Sequence, residues 1–325
     1  MKARIFTALL TAFAILGANA AVAGTSVKVG YAPRLPQMPV FIAEKKGFFK
    51  EEGLDVELVP VNSVTTVLLP MVAKGDLQLS FSGPTATLFN AMSQGMNIKI
   101  IADGGQCPTT FDGCPYVVVA RKDLHDDGKL TKLSDLKGKI VSFGADGTSL
   151  AYMMFKALDK SKLTDKDLTV RWFGSVQDMG VALTNKGLDA SAMIAPYDGS
   201  LAQKGIAVRL ADAREVAPGM QTFMVIASEQ FVQNKDALDR FRRAYKKAIA
   251  WYKKQVEGDA AELIAIASEY TKMTPEQIRA SSWGYYADDL KVNTPDIIEQ
   301  YNLWVKRGIA KPGLDIKSHI IESAR

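Results

Sequence analysis

The chain has 325 residues, 47% of them hydrophobic, with 40 Lys and Arg set against 35 Asp and Glu. A formal charge of +5, with aromatic residues scattered away from the basic ones, gives no electrostatic footprint for nucleic acid. Two cysteines and two isolated histidines leave any metal site short of ligands.

Lys2 and Arg4 precede an apolar run over residues 5–16, and Ala18, Ala20, Ala21 and Ala23 follow. That is the pattern of an export signal peptide, residues 1–23, cleaved after Ala23. The run holds about a dozen apolar residues, well short of the roughly 20 that span a bilayer. No cysteine stands there to carry a lipid, and no later segment is apolar enough to insert the mature chain in a membrane.

The mature chain opens on SVKVGY (26–31), whose Val27 and Val29 alternate with polar neighbours as in a strand. Pro33, Pro36 and Pro39 then impose a loop, and Pro39 suits a first helical position. Phe41 and Phe48, like Ile42 and Phe49, recur seven apart, which predicts one helix from Val40 to near Glu52. Gly53 stops it, and Leu54, Val56 and Leu58 alternate as a second strand. Strand, loop, helix, strand is the parallel crossover of open α/β sheets, where ligands sit beyond the carboxyl ends of the strands. Residues 31–38 are therefore the first candidate site.

A helix capped by Ser63 and kinked at Pro70 runs to Lys74, and a strand follows over 77–81. Ser82 or Gly83 is expected to cap a helix that starts at Pro84 and closes at Gly95. A short strand (98–102) leads to a loop holding Cys107 and Cys114. In an exported chain so close a pair reads as a disulfide bracing a Gly/Pro-rich loop; a metal pair is the alternative, with no third ligand near. YVVVA (116–120) is the next strand. Further strands are expected over 139–143 and 168–172, with the loop 144–149 and a helix to Leu158 after the first of them. Ser175 and Asp178 suit a helix cap.

Lys74 and Gly75 lie ten residues before Pro84, and Lys186 and Gly187 lie ten before Pro196, the two copies being 112 residues apart. With strands and helices alternating around both, the echo predicts two related lobes. FMVIA (223–227) returns the chain to the first lobe. The expected organisation is 24–118 plus 226–325 for lobe 1 and 119–225 for lobe 2, hinged near 116–120 and 223–227. In the later helix Leu238, Phe241, Tyr245, Ala248 and Tyr252 form one apolar stripe. The basic residues mostly opposite it, Arg243 and Lys247 among them, read as a solvated face. Thr274 and Thr294 each precede a proline as cap and first helical residue.

Four loops should meet in the cleft. Tyr31, Arg34 and Gln37 come from the first, Ser82, Gly83, Pro84 and Thr85 from the second, Asp146, Thr148 and Ser149 from the third, and Pro196 and Tyr197 from the fourth. Helix N-termini with hydroxyls beside them suit an anionic or strongly polar group, although Ser82, Thr148 and Ser149 are equally suited to capping. Trp283 is a candidate to wall the pocket with Tyr31 and Tyr197, Gln221 and Thr222 just before the return strand are candidates to reach the cleft, and Arg34 is either an anion clamp or a surface charge.

GFFKEEGLDVELV (47–59) resembles the signature of solute-binding proteins of the nitrate, taurine and alkanesulfonate type, and the likeness extends over 26–310. It implies a two-lobed α/β fold of the periplasmic binding protein kind (type II), each lobe a doubly wound sheet, with the ligand between the lobes. It also implies a periplasmic monomer that captures a small polar or anionic solute and delivers it to an ABC permease. The alternatives are an exported sensor that shows its liganded form to a receptor, or an enzyme like the pyrimidine-synthesising members of the superfamily. Those enzymes use a cysteine-rich motif and an active-site histidine, and this sequence has neither. No cofactor is expected: Asp146 to Ser149 is not a P-loop, and no Ser-His-Asp or metal-spaced set occurs.

Overall fold

The structure is a computed structural model that describes residues 24–61 and 65–322. The signal-peptide segment 1–23 and Ser63 lie outside the described residues. In chain order the strands are β1 (Thr25–Tyr31), β2 (Leu54–Pro60), β3 (Leu79–Ser82), β4 (Ile98–Asp103), β5 (Gln106–Cys107) and β6 (Tyr116–Arg121). They continue with β7 (Ile140–Gly144), β8 (Thr169–Trp172), β9 (Ala190–Ile194), β10 (Ala207–Asp212), β11 (Met220–Gln221) and β12 (Met224–Ser228).

Two five-stranded sheets result, in the orders β2-β1-β3-β12-β4 and β8-β7-β9-β6-β10. In each, three parallel strands are followed by one antiparallel strand and then by a fifth that runs with the first three, so β3 of one lobe corresponds to β9 of the other. The echo at Gly75 and Gly187 thus precedes topologically equivalent strands. β1 and β2 pair in register from Thr25 with Leu54 to Tyr31 with Pro60, which puts Val27 and Val29 in the core.

The lobes join at places other than those expected. β6 pairs within the second sheet over its whole length and β12 within the first, so neither is a hinge. The crossings are 104–115 and 213–223, where β5 and β11 form a separate antiparallel pair. Cys107 and Cys114 are bonded and wholly buried in the first crossing. The bracket it closes is tied to lobe 2 by Arg214, which donates to the Phe111 carbonyl at 2.9 Å and pairs with the buried Asp212 at 2.8 Å.

Helix boundaries also shift. Gly47, at φ +75°, splits the expected first helix into Met38–Lys45 and Phe48–Glu51, a backbone state open to glycine at little cost. Phe41, Ile42 and Phe49 still share the core. The helix after β3 begins at Ala86 with Thr85 as its cap, two residues beyond the proline that the spacing favoured. Asn293, not Thr294, caps the helix Thr294–Lys306.

The stripe of Lys235–Val256 is fully packed against lobe 1. Its basic side faces the glutamates of the GFFKEEG segment: Arg243 and Lys247 each reach Glu52 at 2.8 Å. Arg242 turns inward, donating to the carbonyls of Ile101 at 3.0 Å and Ile321 at 2.6 Å.

Thr294–Lys306 belongs to neither lobe alone. Trp304 donates to the Pro84 carbonyl at 3.1 Å on one side and sets its ring edge-on to Tyr152 and Phe155 on the other. Glu299 pairs with Lys156 at 2.8 Å, and Arg307, just past the helix, pairs with Asp146 at 3.6 Å and Asp165 at 3.4 Å.

Candidate functional site

The loop after β1 is rigidly built. Gln37 accepts the Ala32 N–H at 2.9 Å, the Arg34 N–H donates to the Ala32 carbonyl at 2.8 Å, and the buried Tyr286 hydroxyl donates to the Leu35 carbonyl at 3.1 Å. Gln37 therefore holds its own loop. Across the cleft the Leu35 N–H donates to the Ala195 carbonyl at 3.4 Å, and the Ala86 N–H to the Gly147 carbonyl at 2.8 Å. Gly83 completes the closure. A Cβ there would stand 2.6 Å from Ser149 Oγ and 3.0 Å from the Thr222 carbonyl, so only glycine lets the two loops meet. The carboxyl ends of both sets of parallel strands thus face and touch each other.

Most of the hydroxyls expected to bind ligand are engaged inside their own loops. Thr85 accepts the Leu88 N–H at 3.2 Å, and Thr148 accepts that of Ala151 at 3.4 Å while donating to the Ala145 carbonyl at 2.7 Å. Both serve as helix caps. Ser82 donates to the Gly83 carbonyl at 3.0 Å. The carbonyls of Pro84 and Pro196 accept from Trp304 and from Ser281. Asp146 turns outward to Arg307. Tyr31 packs on Phe41 and Tyr270, and Trp283 on Tyr252.

Gln221 is wholly buried, and its side chain is spent on joining the crossings rather than on reaching the cleft. Its amide donates to Asp103 at 2.6 Å and to the Phe223 carbonyl at 2.6 Å, its side-chain oxygen accepts the Asn293 N–H at 2.6 Å, and its N–H donates to Asp296 at 2.7 Å. Burial pushes the Asp103 carboxyl up to about 6, against hydrogen bonds from Ala287, Gly105 and Gln221 that favour its charge. It pushes Asp198 to about 6 as well, against the neighbouring Gly199 and Ser282 N–H groups, which favour its charge.

Arg34, Ser149 and Tyr197 are left, joined by Tyr116 and Thr222. The Ser149 hydroxyl, at the first residue of the helix Ser149–Lys160, is buried with no partner among the described residues. Tyr116 is fully buried, its hydroxyl 3.5 Å from the Thr222 carbonyl, and burial raises its pKa well above the usual phenol range. Burial also raises that of Tyr197, whose oxygen accepts from Gln177 at 2.7 Å. The positive charge of Arg34 opposes both shifts. Tyr116 was no sequence candidate: as the first residue of a buried strand it resembles any core aromatic. Its place directly after the cysteine loop was the available signal.

A family model described as NMT1/THI5 like matches residues 36–257. The chain belongs to that family. Among curated relatives it is 24% identical over 290 residues to the 4-amino-5-hydroxymethyl-2-methylpyrimidine phosphate synthase of Aspergillus parasiticus, covering 83% of this chain and 79% of that protein. The aliphatic sulphonate-binding protein SsuA of Escherichia coli superposes with a TM-score of 0.74 at 16% identity, over 92% of this chain and 93% of that one. The nitrate-binding protein NrtA of Synechocystis PCC 6803 gives 0.70 at 15% identity, over 91% and 84%. These two binding proteins share this two-lobed periplasmic binding protein fold.

Proposed function

We propose that the chain is a periplasmic solute-binding protein that holds a small polar or anionic organic solute, of the sulfonate, taurine or nitrate class, between its lobes for delivery to an ABC importer. The observation that carries this reading is the meeting of loops from the carboxyl ends of two equivalent sheets at Gly83 and Ser149, around a buried hydroxyl with no partner among the described residues. The N-terminal sequence pattern of an export signal supports it. Both histidines serve elsewhere: His319 contacts the Ile98 carbonyl at 3.0 Å, and His125 lies beside Asp126. Binding rather than catalysis, and a monomeric protein, belong to the same proposal.

The test is a thermal-shift screen of sulfonates, nitrate, aromatic acids and pyrimidines, with small-angle scattering on any hit. A specific solute at a hundredfold excess over its Kd stabilises by about 2.7 kcal/mol, and a hit should also shrink the radius of gyration as the lobes draw together. A panel in which nothing stabilises the protein refutes the reading, as does turnover of a stabilising compound.

A further inference from the structure

We propose that closing the two lobes drives the Asp198 carboxyl into a seam that holds no counter-charge for it, so that closing takes up a proton and the protein shuts more firmly in acid. The seam is separate from the Gly83 contact. It joins the helix Tyr197–Gln203 of lobe 2 to residues 277–282, which lie in and just after the helix Pro275–Arg279. That stretch is anchored on lobe 1: the Tyr252 hydroxyl donates to the Gly284 carbonyl at 2.7 Å, and the Ala287 N–H to Asp103 at 2.8 Å. Across the seam the Gln277 amide donates to Ser200 Oγ at 2.9 Å, the Ser281 hydroxyl to the Pro196 carbonyl at 3.3 Å, and Arg209 to Ser282 Oγ at 3.4 Å. Gly199 makes the fit possible. A Cβ there would overlap the Ser281 hydroxyl and the Gln277 carbonyl, and would stand 2.7 Å from the Ser281 nitrogen. Two of those three atoms are backbone and cannot swing aside.

Asp198 stands in the chain between these contacts. It is 9% exposed, and its Oδ1 is buried with no hydrogen-bond partner among the described residues. A charged carboxylate held so is costly, and a proton removes the cost. The charged groups on the surrounding elements are engaged elsewhere. Arg209 pairs with Asp212 and lies 3.8 Å from Glu215, while Arg214 divides its charge between Asp212 and Asp112. Asp178, on the helix Val176–Thr184, accepts from Ser175 at 2.8 Å, and Glu276 and Arg279 pair in solvent at 3.8 Å. Burial therefore outweighs the Arg209 charge and the nearby N–H groups, and the carboxyl is pushed up to about 6. With the lobes apart, residues 277–282 withdraw, water reaches the carboxyl and its ordinary acidity returns. The closed form then binds the proton more tightly than the open form. Closing is favoured at low pH, and that advantage falls by about tenfold or more as pH rises from about 4 to about 6.

The experiment uses the protein without solute, so it stands apart from the question of what the cleft holds. Small-angle scattering follows wild type, Asp198→Asn and Gly199→Ala between about pH 4 and about pH 8, and carbon NMR follows the Asp198 carboxyl in wild type and Gly199→Ala. The radius of gyration of wild type should grow as pH rises through about 6, and that of Asp198→Asn, neutral throughout, should stay small. Gly199→Ala, wedged open at the seam, should be wide at every pH. Its Asp198 should titrate at a pH lower by about one unit or more than in wild type, because water now reaches it. A carboxyl that titrates alike in the two proteins overturns the inference, since lobe 2 alone would then bury it. So does a wild-type radius that ignores pH. A pH transition that persists in Asp198→Asn also overturns it and passes the proton to another group, with Asp103 at the crossing the first to examine. Should Asp198→Asn fail to fold, the comparison of wild type with Gly199→Ala decides alone.

Discussion

Gly83→Ala separates closing from folding. The new Cβ would sit 2.6 Å from Ser149 Oγ and 3.0 Å from the Thr222 carbonyl, where ordinary contacts begin near 3.4 Å. The lobes must then stand apart by several tenths of an ångström at that point. Overpacking of this kind costs about 1–3 kcal/mol. Because Ser149 belongs to the opposite lobe, most of the cost falls on the closed form. Any solute that needs closure should therefore bind about 5- to 150-fold more weakly, with little change in the melting temperature of the free protein. Calorimetry with a solute from the screen measures the loss, and scattering of the free protein reports the wider average separation. Ser149→Ala removes the clashing oxygen, so in the Gly83→Ala background it should recover part of the affinity beyond what the two single changes predict by addition. Unchanged affinity in Gly83→Ala, or strict additivity in that cycle, would refute the contact as the one that closes the cleft.

Thr85→Val and Thr148→Val each remove a helix cap, and each should lower unfolding free energy by about 1 kcal/mol in denaturant titrations; a large affinity loss at unchanged stability would return both to the ligand. Cys107→Ser with Cys114→Ser should cost about 2–3 kcal/mol for so short a loop, and two alkylated cysteines in the unreduced protein would show the bond absent. Asp103 is raised to about 6 in the fold, so it binds its proton more tightly there than in the unfolded chain. Its contribution is therefore favourable at low pH and falls away as pH rises from about 4 to about 6. Asp198 acts in the same sense, so Asp103→Asn should reduce that slope in melting curves without abolishing it; an unaltered slope refutes the assignment. Lys247→Ala loses only exposed pairs with Glu51 and Glu52 and should leave solute affinity unchanged in calorimetry.

Local signals carried the fold. Val27 and Val29, the glycine stops and the Lys-Gly spacing ahead of β3 and β9 all act within a few residues, so they are written in order along the chain. The first helix misled because a seven-residue stripe survives the break at Gly47: the two short helices keep Phe41 and Phe49 in the same core. The site was legible only as loops. Thr85 and Thr148 carry one spacing for a cap and for a ligand contact, and only geometry separates them. The partners of Gln221 lie as far as 118 residues away, beyond any local pattern.

The helix gripped by both lobes changes the kinematics of the molecule. Two covalent crossings fix an axis of rotation, and a third tie away from that axis acts as a stay on the angle. The stay is fastened to lobe 1 through the buried indole of Trp304. Part of its hold on lobe 2 runs through Lys156 to Glu299 and Arg307 to Asp146 and Asp165, pairs that reach solvent. Exposed pairs of this kind are weak and screened by salt. The swing of the empty protein should therefore widen as ionic strength rises, with the axis itself unmoved.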